Sequence, residues 1–230
     1  MPVKTVSETA LLPRPPRGRR TRERPDGRTA LLAAATQAFA SHGFDAADLR
    51  SIAAAAGVAP NLVRVHFGSK AELWQACLDA IVVEAAPVFL EVRMLTDAVE
   101  RPLMERLAAL IARVADFFSA HPDVRDFVAR HASDAPERAA HVTDRLLRPA
   151  YDGARPLFEA GIEAGIIRSR HPALFFVLLN NAVNQPPGFA SMLHRLSPEI
   201  EPASARAMLT ETIVATLLHS PSENGRQAKH

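Results

Sequence analysis

The sequence predicts an all-α protein, built from a small N-terminal three-helix unit and a larger helical domain. Three observations carry that expectation. Ala and Leu dominate an apolar fraction of 48% over 230 residues while β-branched residues are sparse, a mixture that favours helix over sheet. Apolar residues recur at helical spacing through most of the chain, and no segment alternates long enough to anchor a sheet. The stretch Leu49 to Leu73, LRSIAAAAGVAPNLVRVHFGSKAEL, stops one short helix at Gly57 and starts another at Pro60, which is the pattern of a helix-turn-helix.

Residues 1–27 hold five prolines among their arginines. Such a segment cannot bury enough surface to offset its ordering entropy, so a flexible arm is expected. Residues 1–28 carry eight Lys/Arg against three Asp/Glu, or +5, whereas residues 29–75 balance at zero and the remaining 155 sum to −3. The basic end is therefore a local device for an acidic partner. It can lay arginines along phosphates or in a minor groove, or serve only as a solubilising extension.

The first helix is expected over Arg28 to Ser41, with Leu31, Leu32, Ala35, Ala38 and Phe39 on one face and Gly43 as its terminator. Asp48 reads as the N-cap of a second helix reaching Ala56, whose alanines let the next helix approach. A third runs from Pro60 to Phe67; proline suits the first turn, where its missing N–H has no helical partner. Ser69, Lys70, Ala71 and Glu72 form a capping-box sequence. A fourth helix starts there and runs to a break expected near Pro87.

Leu107, Leu110, Ile111, Val114, Phe117 and Phe118 then mark a helix closed by His121 and Pro122. A short one follows over Val124 to His131, and a long, partly interrupted segment runs from Pro136 to Gly165. Two last helices, Pro172 to Gln185 and Pro202 to His219, are expected on either side of a linker containing Pro and Gly. The final eleven residues look disordered. The domain organisation expected is a basic arm at 1–27, a helix-turn-helix domain at 28–75, a helical effector-binding and dimerisation domain at 76–219, and a tail at 220–230.

A helix that reads DNA needs apolar packing behind it and polar or small residues in front. On the third helix Val63 and Phe67 form the rear, leaving Pro60, Asn61, Arg64 and Val65 for the outside. Asn61 can pair with adenine or simply cap a turn. Arg64 can reach guanine or a phosphate, or remain solvated. His66 and Lys70, where the third helix hands over to the fourth, are phosphate-clamp candidates, with a packed, hydrogen-bonded histidine as the other reading of His66. Arg50 is a further phosphate candidate.

Residues 28–74, above all IAAAAGVAPNLVRVHFGSKAEL, resemble the N-terminal DNA-binding domain of the TetR family of bacterial transcriptional regulators. Gly43 and Phe44, Ile52, Ala53, Ala56, Gly57, Val58, His66, Phe67 and Lys70 fall in register with that family's pattern. Ala47, Asp48 and Ala59 stand where it usually has hydroxyl residues, Asn61 where it has Gly, and Arg64 where it has a phosphate-contacting Tyr. The operator sequence therefore does not carry over.

The resemblance implies a homodimer on palindromic double-stranded operator DNA. It places the subunit interface on the last two helices, here Phe175, Phe176, Leu179 and Val183 with Met208, Leu209, Ile213 and Leu217. It also implies a pocket for a small, largely apolar effector between the middle helices, where Phe117, Phe118, Tyr151, Phe158, Asn180, Asn181, Asn184 and Gln185 are the candidates. The amides can face a ligand or pair across the dimer, since buried amides need partners.

The function expected is a ligand-responsive transcriptional regulator, a repressor by preference. The alternative is a helical interaction or scaffold module without effector control. No catalytic motif such as G-x-S-x-G, H-E-x-x-H or a glycine-rich phosphate loop occurs, so neither an enzyme nor a cofactor is expected. Cys77, the single cysteine, reads as a buried helical thiol, no Cys/His spacing suggests a metal, and a reducing cytoplasm fits. The longest apolar run, Ala173 to Leu179, falls far below the roughly 20 residues of a membrane helix, and export is not expected.

Overall fold

The computed structural model describes residues 26–132, 134–186 and 188–220, whose regular structure is helical, with no strand among the described residues. The basic arm, up to residue 25, and the C-terminal tail from residue 221 lie outside the described residues. The helices are α1 (Gly27–Ala46), α2 (Leu49–Ala55), α3 (Asn61–Phe67), α4 (Lys70–Asp97), α5 (Leu103–Ala120), α6 (Pro122–His131), α7 (Pro136–Val142), α8 (Arg148–Glu163), α9 (Pro172–Val183), α10 (Phe189–Leu196) and α11 (Ala205–Leu217). A π-helical turn, Thr143–Leu147, joins α7 to α8 without a loop.

One continuous core runs from Leu31 in α1 to Leu218 after α11. Helix α4 is its spine. Leu73, Trp74, Cys77 and Leu78 bury their side chains beside α1 and α6, and Ile81, Ala85, Val88 and Val92 carry the same stripe into the larger bundle of α5, α8 and α9. By length and apolarity alone α4 could cross a bilayer. Three of its acidic side chains are instead paired with neighbouring elements: Asp79 with Arg145 of the π-turn, Glu84 with His121 at the end of α5, and Glu91 with Arg113 of α5.

The break expected near Pro87 does not occur, and α4 continues to Asp97. Proline inside a helix costs about 3 kcal/mol. Burying Val88 and Val92 returns about 1.5–3 kcal/mol each, which offsets it. Pro87 and Val83, four residues earlier, are both exposed, so water can serve the carbonyl that loses its partner.

The linker expected between the last two helices contains α10, which starts after Gly188 at φ 85° and seats Phe189 in the protein. The interruption expected between Pro136 and Gly165 is the π-turn rather than a loop. Two arginines close helix ends from neighbouring helices. Arg106 of α5 donates from Nε to the carbonyl of Leu95 at 2.8 Å and also reaches that of Thr96. Arg130 of α6 does the same for the carbonyls of Ala40 and Ser41, where α1 kinks at Gly43.

Candidate nucleic-acid interface and ligand cavity

Local sequence chemistry builds the helix-turn-helix. Asp48 caps α2 by accepting from the Ser51 N–H at 2.9 Å and from its hydroxyl at 2.8 Å. These bonds hold the Asp48 carboxyl below its ordinary pKa. The other end of α2 closes with a Schellman pair, the Val58 N–H on the Ala53 carbonyl and the Gly57 N–H on that of Ala54, each at 3.0 Å. Gly57 sits at φ 67°, a backbone conformation that L side chains rarely adopt.

Helix α3 has no side-chain cap, since neither Pro60, its N-cap residue, nor Ala59 before it carries a side-chain oxygen. Helix α4 does: the Ser69 hydroxyl accepts from the Glu72 N–H at 3.1 Å. Val63 and Phe67 bury the rear of α3. Pro60, Asn61, Arg64, Val65 and His66 are all exposed, as is Arg50 in the first turn of α2. Val65, an apolar side chain, is 70% exposed on this face. The packed alternative for His66 does not occur.

Lys70 is placed differently. Its Nζ donates to the Asp45 carbonyl at 3.0 Å and lies 4.9 Å from the centre of the Phe44 ring. It therefore braces the α1–α2 corner, with two further ammonium hydrogens left for an anion. Arg28, at the start of α1, stacks its guanidinium 5.2 Å from the Phe67 ring beside α3. Arg28 is expected from sequence only as the start of the first helix and one charge of the basic end; a cation–π partner 39 positions away carries no local pattern.

The same corner meets α6 and α7. The Arg138 guanidinium also lies over the Phe44 ring, 4.4 Å from its centre, and 3.9 Å from the Asp45 carboxylate. Arg138 also donates to Asp134 at 2.8 Å, and Asp134 bonds His131 Nδ1 at 2.9 Å. The Arg138 guanidinium, followed by the His131 contact, holds the Asp134 carboxyl well below the usual carboxylate range. His131 is fully buried against Trp74 and Phe127, and burial lowers its pKa. Cys77, buried near the Leu32 carbonyl, has its thiol pushed up to about 12 by burial, which leaves it unreactive at neutral pH.

A cavity of about 70 Å³ lies between α4, α5, the π-turn, α8 and α9. Four of the effector candidates line it: Phe117, Phe118, Phe158 and Asn180. Tyr151, Asn181, Asn184 and Gln185 are not among its lining residues. Tyr151 packs edge-on to Phe176 at 5.5 Å, Asn181 is exposed, Asn184 ends α9, and Gln185 donates its side-chain amide to the Ala182 carbonyl. The α4 contribution, Ala85, Val88, Phe89 and Val92, was hidden by the break expected at Pro87.

On α9 the face expected to be exposed is the inner one. Phe175, Leu179 and Val183 are buried within the subunit, as is Ile213 on α11; Phe176, Leu209 and Leu217 are half-buried. The outward apolar residues are Leu174, Val177 and Leu178, with Met208 on α11. Helix α9 is apolar on nearly every side, so periodicity could not say which stripe faces the core.

Two family models match this chain. One, described as bacterial regulatory proteins, tetR family, covers residues 31–77. The other, described as tetracyclin repressor-like, C-terminal domain, covers residues 102–201. Among solved structures, the fatty acid degradation regulator FadR from Bacillus halodurans is 16% identical, with 82% of this chain and 98% of that one covered at a TM-score of 0.55. The hemolysin II transcriptional regulator HlyIIR is 13% identical, with coverages of 84% and 98% and a TM-score of 0.62. The regulator PfmR from Thermus thermophilus is 19% identical, with coverages of 83% and 96% and a TM-score of 0.56. At these identities the likeness is one of fold. A sequence search of curated proteins finds no match.

Proposed function

Because the chain belongs to the TetR family of bacterial transcriptional regulators, we propose that it represses transcription by binding palindromic operator DNA as a homodimer, and that a small ligand in the α4–α5–α8–α9 cavity controls this binding. The observation that carries the DNA-binding reading is the division of α3. Val63 and Phe67 anchor it while Asn61, Arg64, Val65 and His66 face solvent.

In this reading Asn61 and Arg64 contact base edges or phosphates, Val65 meets a thymine methyl, and Arg50, His66 and the free hydrogens of Lys70 bind phosphates. The described part of the head carries four Lys/Arg and four Asp/Glu between residues 26 and 75. Neutralisation of the backbone therefore falls largely to the arginines of the N-terminal arm.

Two α3 helices must lie about one turn of DNA apart, roughly 34–36 Å or a multiple of it. The dimer face we assign is Leu174, Val177, Leu178 and Asn181 of α9 with Met208 and Thr212 of α11, all exposed in the subunit. A ligand shifts the spacing only if it binds one arrangement better than the other.

Binding of the full-length protein to its own upstream DNA, with and without Arg64→Ala combined with Lys70→Ala, tests the surface. Weaker binding by the double variant is expected. Unchanged affinity would remove α3 and the α4 start from the interface.

A further inference from the structure

The cavity has a chemical character that narrows its ligand further than apolarity. Of the sixteen residues lining it, fifteen are Ala, Val, Leu or Phe, and Asn180 of α9 supplies the one polar side chain. The Asn180 Nδ2 is already engaged, donating to the Phe176 carbonyl at 2.8 Å. That bond uses one of the two Nδ2 hydrogens and fixes the orientation of the amide, so its remaining polar groups are the acceptor Oδ1 and a single N–H.

No cation lines the cavity among the described residues. Of the arginines on the surrounding elements, Arg106 is committed to the carbonyls near the end of α4, Arg113 to Glu91, Arg145 to Asp79, Arg148 to Asp144 and Arg155 to Glu159, while Arg93 is exposed on α4 and does not line the cavity. A buried carboxylate would thus meet neither a counter-ion nor a set of N–H donors, and burying an unpaired charge is strongly unfavourable. The volume of about 70 Å³ is small beside the several hundred typical of drug-sized sites.

We propose that the cavity selects a small, uncharged ligand with an apolar body and one hydrogen-bond donor, such as a short-chain alcohol, which donates to Asn180 Oδ1, and that it rejects the corresponding carboxylates. This rests on the reading of the cavity as the effector site. Phe117, Phe118 and Phe158 enclose the apolar body. The π-turn contributes the adjacent pair Leu146 and Leu147 to the wall, and such turns recur at functional sites.

The test uses three small molecules: propan-1-ol, dimethyl sulfide, which is apolar and has no donor, and propanoate, each titrated into the full-length protein at neutral pH and followed by the amide chemical shifts of the cavity-lining residues. The alcohol should bind about fivefold to tenfold more tightly than the sulfide, the return expected of one hydrogen bond. The propanoate should bind at least about a hundredfold more weakly than the alcohol. Asn180→Leu, checked for native helicity, should bring the alcohol to the level of the sulfide.

Equal or tighter binding of the propanoate would overturn the ligand class while leaving the cavity as a site. So would an alcohol preference that survives in Asn180→Leu. Failure of all three to bind wild type would overturn the proposal and the effector reading beneath it.

Discussion

The guanidinium of Arg130 on α6 closes the first, straight part of α1 just before its kink at Gly43, by donating from Nε to the carbonyl oxygen of Ala40 at 2.9 Å. Its Nη2 reaches the neighbouring Ser41 carbonyl at 3.1 Å. Helix ends leave carbonyls without intrahelical partners, and here an element of the larger domain serves those of the DNA-binding head. The head is thereby fastened to α6, which directly follows α5, one of the cavity-lining helices. Arg130→Ala should lower unfolding free energy by about 1 kcal/mol, because the bonds are charge-assisted but partly solvated. Chemical denaturation checks this, and an unchanged midpoint would show that water replaces the arginine without loss.

Gly43 stands directly beyond that contact, at φ 77° and ψ 176°, and a Cβ there would lie 3.3 Å from Arg130 Cδ. The backbone conformation is nearly restricted to glycine, so Gly43→Ala should destabilise by about 1–3 kcal/mol. Thermal unfolding should show a Tm several degrees lower. The Arg130→Ala background should relieve little of it, since the strain is in the backbone more than in the contact.

Stability should fall with pH in two stages. Burial holds His131 below its ordinary value of 6.5, so the unfolded chain takes up the proton first, and stability present above about pH 6.5 declines as pH drops toward the folded value. Asp134, also depressed, chiefly by Arg138, contributes stability above the unfolded carboxylate range that is lost at more acid pH. Denaturation midpoints measured from pH 8 to 4 should slope downward below about pH 6.5, and His131→Gln should flatten the upper part of that slope. A flat wild-type profile would contradict the buried, neutral assignment.

The assigned dimer face predicts that Val177→Arg or Leu178→Glu yields monomers of native helicity, because either places a charge in an apolar contact on the outside of α9. Light scattering after size exclusion distinguishes this from unfolding. A dimer that survives both substitutions would move the interface off α9.

The parts of this protein that were legible in its sequence are those fixed by a few neighbouring residues. Asp48 and Ser69 cap their helices as read, and Gly57 ends α2 as read. The front and rear of α3 also follow directly from its seven residues. What escaped depends on packing at a distance. Pro87 has the local signature of a break, and only the burial of Val88 and Val92 beyond it keeps α4 continuous. The inner face of α9 could not be chosen because Leu174, Val177 and Leu178 are as apolar as Phe175 and Leu179. Arg130, Arg138 and Arg28 carry no motif at all; their partners Ala40, Phe44 and Phe67 lie far away in sequence.

DNA recognition by the exposed face of α3 is the central claim, and one titration tests it most directly. Fluorescence anisotropy of a duplex from upstream of the protein's own coding sequence is measured against a scrambled duplex of equal length, for wild type and for Asn61→Ala with Arg64→Ala. The account predicts saturable, sequence-selective binding by wild type. It predicts that the variant loses about tenfold or more of its affinity, at about 1–3 kcal/mol per base contact, and with it the preference over the scrambled duplex. Equal affinity of wild type for both duplexes, or a variant that binds as wild type does, would contradict it.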